Sequence, residues 1–343
     1  MRSLTLAAPG LVEWQDVPDA TIEEATDALV RPLAVAACDI DRPLAFGAIP
    51  FMPPLRLGHE LVAEVVEVGD AVDGFAPGAR VAVPFAISCG SCDRCRRGLT
   101  TNCSTVPKGS MFGLGDLGRG WPGVAADRVR VPWAGHMLLG FPDGLDPVAG
   151  ASISDNLPDA WRTVAPGLEG EQAGADVLIV GGGAPSIGLY AVLFARALGA
   201  GSVRYLDSDG ERLALAERLG ATPEEVREHP RAAGEYLVTV DASAHPEGLA
   251  CAVRSTAPGG VCTSVGIYFG PETPMPLFDM YLANITFRTG RPHARTDMPR
   301  ILDLLASGEV DPTPVQTVLD WEEAPAAWID PPTKLVLSSP SGG

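Results

Sequence analysis

The chain has 343 residues, enough for two domains that each bury a hydrophobic core. Its composition, 46% hydrophobic and 20% charged residues, is typical of a globular protein. A net charge of −18 repels the phosphates of nucleic acids and anionic lipids, so we expect no nucleic acid or membrane partner.

The apolar part of residues 1–9 is too short for a secretory signal, so we interpret these residues as a first β-strand. The uncharged run 177–195 has the length of a membrane span, but its four glycines and one proline argue against one. We therefore expect a cytoplasmic protein.

Residues 1 to about 85 predict short strands joined by turns. One apolar run, 28–37, leads into Cys38, and another, 61–68, follows His59 and Glu60. An isolated cysteine or histidine is usually a packing residue, so neither alone indicates a metal site.

The strongest local signal is a group of four cysteines within 15 residues: Cys89, Cys92, Cys95 and Cys103. Thiolates at this spacing surround Zn²⁺ as a tetrahedron, and neighbouring arginines offset part of their charge. A pair of disulfides is the alternative, but the cytosolic context and the close spacings favour metal. Because the protein fills all four positions, this zinc would be structural.

Residues 176–207 have the pattern of a dinucleotide-binding unit. An apolar strand at 176–180 is followed by a glycine-rich turn at 181–188, and helical periodicity then runs to residue 198. A second strand, 202–206, ends at Asp207. The complete unit is much more specific than a glycine triplet alone.

In such a unit, turn amides and the positive end of the helix face a pyrophosphate, while the terminal carboxylate accepts hydrogen bonds from a ribose. The carboxylate also repels a 2′-phosphate, so the unit predicts NAD. The G-x-G-x-x-G pattern has a serine in place of its third glycine, and we interpret this as a turn enlarged by two residues, with Pro185 near the first helical position. The predicted cofactor contacts are Gly181, Gly183, Ser186, Ile187, Gly188 and Asp207.

With these motifs the chain resembles the zinc-containing medium-chain dehydrogenases over nearly its whole length. In that family a zinc-binding Cys is followed 21 residues later by the His of a Gly-His-Glu run, as Cys38 is by His59 here. The four-cysteine loop has the family's spacing, and the nucleotide unit follows in the family's order.

The resemblance implies an α/β fold with two domains. A mostly-β GroES-like catalytic domain would occupy residues 1–155, with a structural zinc lobe at 89–103. A Rossmann domain with a doubly wound parallel sheet would occupy 156–290. The chain would return to the catalytic domain over 291–343.

The resemblance also implies the ligands of a catalytic zinc. Cys38 and His59 match two of them, and Asp155 lies where the family has its remaining protein ligand. Glu60 matches a neighbouring carboxylate that enters or leaves the ligand shell. Asp41 matches an acid that orients the zinc-bound histidine.

Two further matches concern the cofactor. Arg212 corresponds to a cation near the adenosine, and Lys334 is a candidate contact to the cofactor phosphates, with a surface lysine as the alternative.

The chain departs from the family along the path of the substrate proton. The family usually has a hydroxyl two residues after the zinc Cys and often a histidine three residues further on, whereas this chain has Ile40 and Pro43. Asp159 stands where a threonine near the nicotinamide is common. We therefore expect Glu60, and less strongly Asp159, to act as general base, with direct access of water as the alternative.

The expected activity is hydride transfer between NAD(H) and a small alcohol, aldehyde or ketone, with two zinc ions per chain. Residues 154–158 also look like formaldehyde-oxidising relatives, so a formaldehyde-oxidising or dismutating enzyme, or a biosynthetic carbonyl reductase, is the alternative. A non-catalytic nucleotide-binding protein is less compatible with four retained site residues. The resemblance implies a homodimer or homotetramer joined near residues 280–287.

Overall fold

The structure, a computed structural model, describes residues 1–49 and 52–339. The strands within these residues are β1 (Arg2–Ala8), β2 (Leu11–Asp16), β3 (Ala28–Ala36), β4 (Leu55–Arg56), β5 (Glu60–Val68), β6 (Arg80–Val83), β7 (Val129–Val131), β8 (Leu139–Gly140), β9 (Val177–Val180), β10 (Val203–Asp207), β11 (Thr222–Glu225), β12 (Tyr236–Asp241), β13 (Thr256–Ser264), β14 (Thr286–Thr289), β15 (Thr317–Asp320) and β16 (Leu335–Ser338).

The helices of the same residues are α1 (Asp41–Ala45), α2 (Asp93–Arg96), α3 (Ala134–Met137), α4 (Asn156–Leu168), α5 (Pro185–Ala197), α6 (Gly210–Arg218), α7 (Pro246–Arg254), α8 (Leu277–Ala283), α9 (Ala294–Ser307) and α10 (Ala324–Ile329). Short 3₁₀ turns lie at Thr100–Asn102, Ala151–Ser154, Thr313–Val315 and Trp321–Glu323.

The first compact unit comprises Met1–Pro158, Pro292–Gly308 and Gln316–Gly343. Its main sheet has the strand order β15-β16-β3-β5-β6-β8, with β7 also paired to β3, and β2-β1-β4 form a second sheet. The two central strands, β3 and β5, are apolar and run antiparallel, with Ala36 opposite Glu60 at one end of the ladder. Cys38 and His59 therefore follow and precede paired strand ends.

The second unit comprises Asp159–Arg291 and Glu309–Val315. Its six strands are parallel, in the order β11-β10-β9-β12-β13-β14. The central strand β9 is the uninterrupted apolar run expected of a strand covered on both faces. The order is that of a Rossmann sheet, whose ligands bind beyond the carboxyl ends of the strands where the order reverses, here between β9 and β12.

The uncharged run 177–195 is divided between β9, the glycine-rich turn and α5. Helix α5 begins at Pro185, as predicted, and Gly199 follows it with a φ of +75°, which favours glycine. Among the described residues there is no helix with the length and apolar character needed to cross a membrane.

Candidate active site

Cys38, His59 and Asp155 come together in the first unit. Cys38 follows β3, His59 precedes β5, and Asp155 ends the 3₁₀ turn Ala151–Ser154. The Asp155 Oδ2 atom lies 3.3 Å from Cys38 Sγ and 3.4 Å from His59 Nε2. All three side chains are buried, so the cluster is shielded from bulk water.

This donor set fits a zinc ion. Sulfur bound ~2.3 Å, and nitrogen or oxygen bound ~2.1 Å, from a tetrahedral Zn²⁺ lie ~3.4–3.6 Å apart, close to the observed separations. A thiolate, an imidazole and a carboxylate are all zinc ligands, and three protein ligands leave one tetrahedral position for another molecule. Such a donor set would leave room for a further ligand on the metal, as in catalytic zinc sites.

The electrostatics of the cluster favour a cation. Burial raises the pKa of the Cys38 thiol, and the charges of Asp155 and Glu60 raise it further. Burial lowers the pKa of His59, but its hydrogen bond to Asp155 and the charge of Asp41 prevail and raise it to about 9. The negative charges around the cluster thus favour a positive charge there, and a bound divalent cation would take the place of protons on these ligands.

Asp41, which begins α1, holds the Cys38 backbone. Its Oδ2 atom accepts a hydrogen bond of 2.8 Å from the Cys38 N–H, and burial raises its pKa. Its Oδ1 atom and the His59 Nδ1 atom have no hydrogen-bond partner within the described residues. The charge of Asp41 acts on His59, but the hydrogen bond expected to orient the imidazole is not formed.

The structure corrects the predicted roles of Lys334 and Glu60. Lys334 Nζ is buried and donates to Glu60 Oε2, to the Ala37 carbonyl oxygen and to Asn156 Oδ1, so it is a core residue rather than a contact to cofactor phosphates. The other Glu60 oxygen accepts the Asn156 N–H at 2.7 Å. Both Glu60 oxygens are thus engaged, which is not the arrangement of a general base.

The four cysteines of the loop also come together. The Cys103 sulfur lies 3.6 Å from that of Cys89 and 3.9 Å from that of Cys92, far beyond a disulfide bond. Sulfurs bound ~2.3 Å from one Zn²⁺ are ~3.8 Å apart, so the separations fit a tetrahedral site. A hydrogen bond from Ser104 lowers the pKa of Cys92 to about 5, which favours the thiolate that a metal binds.

In the second unit, the glycine-rich turn packs closely against two strand ends. A Cβ on Gly181 would lie 2.6 Å from Asp207 Oδ2, and one on Gly183 would lie 2.8 Å from the Ala244 Cβ. The Gly183 N–H donates to the Ser243 carbonyl oxygen at 2.8 Å. The sequence predicts that this amide faces a phosphate, but it is engaged within the protein. Gly183 instead permits close packing of the turn.

Helix α5 supplies the remaining predicted cofactor contacts in this turn. Ser186 and Ile187 lie in its first turn, where the positive end of a helix attracts a phosphate. A Cβ on Gly188 would meet the Ala242 Cβ at 3.3 Å and the Tyr205 ring at 3.4 Å. Gly188 thus performs the helix-packing role of the third glycine, two residues later than in the usual pattern.

Asp207 ends β10 as predicted, but its carboxylate is saturated with donors. Arg212 binds both oxygens, at 2.6 and 2.9 Å, and the Tyr205 hydroxyl donates to Oδ2 at 3.0 Å. The N–H groups of Ser208 and Asp209 donate to Oδ1. The carboxylate is 0% exposed, and its oxygens are already engaged by these donors.

Asp159, the second candidate base, forms an ion pair with Arg162 on the same helix, with Nε 2.5 Å from Oδ1. Arg162 also donates to the Ser264 carbonyl oxygen at 3.3 Å. The carboxylate is therefore held in an ion pair, and the role of Asp159 as a general base stays a prediction.

Sequence reasoning missed Asn156 and Tyr205. Asn156 Nδ2 donates to Cys38 Sγ and to Asp155 Oδ2, each at 3.2 Å, and Tyr205 donates to Asp207. Neither residue type belongs to the zinc-ligand or dinucleotide motifs, so only their positions near Asp155 and Asp207 in the sequence could have indicated them.

Comparisons with known proteins cover both units. A family model described as an alcohol dehydrogenase GroES-like domain matches residues 24–143, and one described as a zinc-binding dehydrogenase matches 186–307. The first match confirms the predicted GroES-like domain, and the second agrees with the Rossmann sheet.

Individual relatives and structures agree with these matches. A Mycobacterium tuberculosis protein named a probable zinc-binding alcohol dehydrogenase is 30% identical over 317 residues, covering 91% of this chain and 80% of that protein. The glutathione-independent formaldehyde dehydrogenase of Bacillus subtilis is 32% identical over 267 residues, covering 73% of this chain and 64% of that protein. The alcohol dehydrogenase of Thermus sp. ATN1 has a similar structure, with a TM-score of 0.88, 29% identity and coverage of 99% of this chain and 100% of that one.

Proposed function

The chain belongs to the zinc-containing medium-chain dehydrogenase family and is an oxidoreductase, and from this premise we propose that it transfers hydride between NAD(H) and a small alcohol, aldehyde or ketone. The observation that carries the proposal is the buried cluster of Cys38, His59 and Asp155, which supplies three zinc ligands and leaves one position open. The nucleotide unit of the second domain would bind the dinucleotide that exchanges hydride with the substrate.

When bound, a zinc ion would supply Lewis-acid polarisation of the substrate oxygen, and a nicotinamide cofactor would supply the hydride chemistry. Cys38, His59 and Asp155 would hold the metal, while Asp41 anchors the Cys38 backbone. The Phe85 ring, whose centroid lies 6.1 Å from that of His59, provides an apolar wall beside the cluster.

The substrate proton needs another route than the usual hydroxyl and imidazole. Ile40 and Pro43 carry no group that transfers a proton, while Glu60 and Asp159 are paired with cations. We therefore propose that water takes the proton directly.

We propose NAD as the cofactor because the charges near the predicted ribose site are unfavourable for a 2′-phosphate. Arg212 is the cation among these charges, but it is paired with Asp207 and lies 3.5 Å from Asp209. Two carboxylates against one guanidinium leave a net negative charge, which repels a phosphate.

The test combines metal analysis with a substrate panel. We expect two zinc ions per wild-type chain, one in Cys38→Ser and one in Cys103→Ser, because each substitution breaks one ligand set. Only Cys38→Ser should abolish NADH-linked turnover of alcohols and aldehydes while the fold is retained. A folded wild type that binds one zinc, or that turns over no member of the panel, contradicts the proposal.

A formaldehyde-oxidising activity is the second candidate. It is favoured by Asp155, which stands in a tract similar to that of such relatives, and by the similarity to the Bacillus subtilis enzyme named above. Including formaldehyde in the panel, without glutathione, decides between the two candidates. Preference for formaldehyde over longer aldehydes and alcohols would favour the second.

We also propose that the protein is a homodimer or homotetramer. Helix α8 exposes four large apolar side chains on one face, Leu277, Phe278, Tyr281 and Leu282, and β14 ends the parallel sheet within the described residues. An apolar patch beside a sheet edge is typical of a surface that another chain covers.

A further inference from the structure

Lys334 is buried, which is unusual for a lysine. Only two of the 25 basic residues are lysines, Lys108 and Lys334, and the second is fully buried. An ammonium group has three N–H donors, and Lys334 directs them at Glu60, at the Ala37 carbonyl oxygen and at Asn156. The three acceptors come from three different segments of the first unit.

The contact with Lys334 determines which way the Asn156 amide points. The ammonium has no acceptor, so it requires the amide oxygen, and the amide nitrogen must then face the opposite side. On that side Nδ2 lies 3.2 Å from Cys38 Sγ and 3.2 Å from Asp155 Oδ2. The reverse orientation would place two N–H groups against the ammonium and the oxygen against a thiolate and a carboxylate.

The Asn156 backbone is fixed as well. Its N–H donates to Glu60 Oε1 at 2.7 Å, and Glu60 is in turn paired with Lys334. Glu60 and Lys334 therefore hold both ends of the residue, and Asn156 is 0% exposed.

We propose that Asn156, oriented by Lys334, is a positioning residue that tunes the electron donation of two metal ligands. This inference rests on the proposed zinc at Cys38, His59 and Asp155. One thiolate and one carboxylate together offset both charges of Zn²⁺. An N–H donor shared between them withdraws negative charge from sulfur and oxygen, so the metal keeps more of its Lewis acidity toward the substrate oxygen.

The test measures the sulfur directly, in protein loaded with Co²⁺ in place of zinc. A hydrogen bond stabilises the sulfur lone pairs, so its loss in Asn156→Leu should move the Cys38 sulfur-to-cobalt charge-transfer band to longer wavelength. Metal affinity should fall about tenfold, the lower end of the range for lost partners of metal ligands. The four-cysteine loop contributes equally to every variant and cancels in difference spectra.

Two further variants keep the test decisive. Asn156→Asp retains a partner for Lys334 but removes the donor, so it should shift the band in the same direction even where Asn156→Leu folds poorly. The double variant Glu60→Gln with Lys334→Met leaves no buried charge unpaired and frees the Asn156 amide to rotate. It should also move the band to longer wavelength, by less than Asn156→Leu.

Ser154→Ala is the matched control. Ser154 is buried in the same 3₁₀ turn and exchanges hydrogen bonds with the Leu61 backbone, but neither bond involves a metal ligand. It should lower stability and leave the band in place.

The outcomes separate this inference from the proposed function. If Asn156→Leu and Asn156→Asp behave like Ser154→Ala, Asn156 is merely structural and the inference is wrong. If they shift the band but the double variant does not, Lys334 does not orient the amide. If Cys38→Ser removes no charge-transfer band from the spectrum of the wild type, the proposed metal site is wrong, and this inference fails with it.

Discussion

Glu60 and Lys334 form an ion pair in which both side chains are 0% exposed. Burial raises the pKa of Glu60, and the ammonium of Lys334 opposes that rise. Such a pair contributes little net stability, because both charges lose their hydration, but removal of one partner strands the other. Glu60 therefore serves chiefly to hold Lys334 and Asn156 in place beside the proposed metal ligands.

Glu60→Gln should accordingly affect stability more than chemistry. We expect a loss of about 3–5 kcal/mol in the free energy of unfolding, because Lys334 keeps its buried charge without a counterion. Turnover per folded, zinc-loaded chain should fall less than about tenfold, below the usual 10²–10⁴-fold range of a general base. Denaturant unfolding and steady-state kinetics measure the two effects. A loss of turnover within that range, at unchanged stability and zinc content, would restore Glu60 as the base.

Asp207→Ala should narrow the preference for NADH over NADPH. The substitution removes a carboxylate beside the predicted ribose site and leaves Arg212 with Asp209 as its remaining partner, so a 2′-phosphate is repelled less. We expect the ratio of the two Kd values to change about tenfold, since one charge pair near a protein surface is worth on the order of 1–4 kcal/mol.

Fluorescence titration with both reduced cofactors gives this ratio. Glu224→Ala is the control, because it removes the carboxylate partner of Arg204 on the same strand, β10, without altering Asp207. Equal affinity of the wild type for both cofactors would contradict the NAD proposal.

Among the elements, α5 approaches the parallel sheet closely at one small residue, Gly188. Gly188 faces Ala242, just after β12, and Tyr205 on β10, at distances that leave no room beyond one methyl group. At this point the helix lies close to the sheet because Gly188 has no side chain between them.

Gly188→Val should destabilise the second unit by about 1–3 kcal/mol, the usual cost of overpacking, and weaken NADH binding because the start of α5 moves. Thermal unfolding and NADH titration measure the two effects. Gly210→Ala is the control, since no atom lies within 4 Å of its added Cβ, and it should be neutral or slightly stabilising. A Gly188→Val variant with wild-type stability would show that a larger side chain fits between α5 and the sheet, which contradicts this prediction.

For the whole molecule, the relevant feature is the apolar face of α8, which lies on a chain of strongly acidic composition. Its four large side chains are each at least 66% exposed, which is costly in water unless another chain covers them. The net charge of −18 opposes self-association, so the apolar contact must outweigh it.

The double variant Phe278→Glu with Tyr281→Glu should dissociate the proposed oligomer, because it places charges within the apolar face. Light scattering coupled to size-exclusion chromatography gives the mass. Leu117→Glu, which changes an exposed apolar residue of the first unit, should leave the mass unaltered. A wild type that elutes as a monomer, or an oligomer that survives the double variant, contradicts the proposal.

The sequence by itself determined the features that depend on local spacing. Four cysteines within 15 residues can meet through the fold of one short loop, and strand, glycine-rich turn and helix are defined by neighbouring residues. The resemblance to the zinc-containing medium-chain dehydrogenases, which share the spacing of Cys38 and His59, predicted that these two residues belong to one site.

Tertiary structure alone decided what each buried polar group contacts. Lys334 and Glu60 are 274 residues apart, and no local pattern indicates that one neutralises the other. Asp207 was identified correctly as the end of a strand, but Arg212 and Tyr205 saturate its oxygens only when the helix and strand are packed. Hydrogen-bond saturation depends on which groups share a water-free space, and that depends on how distant segments pack.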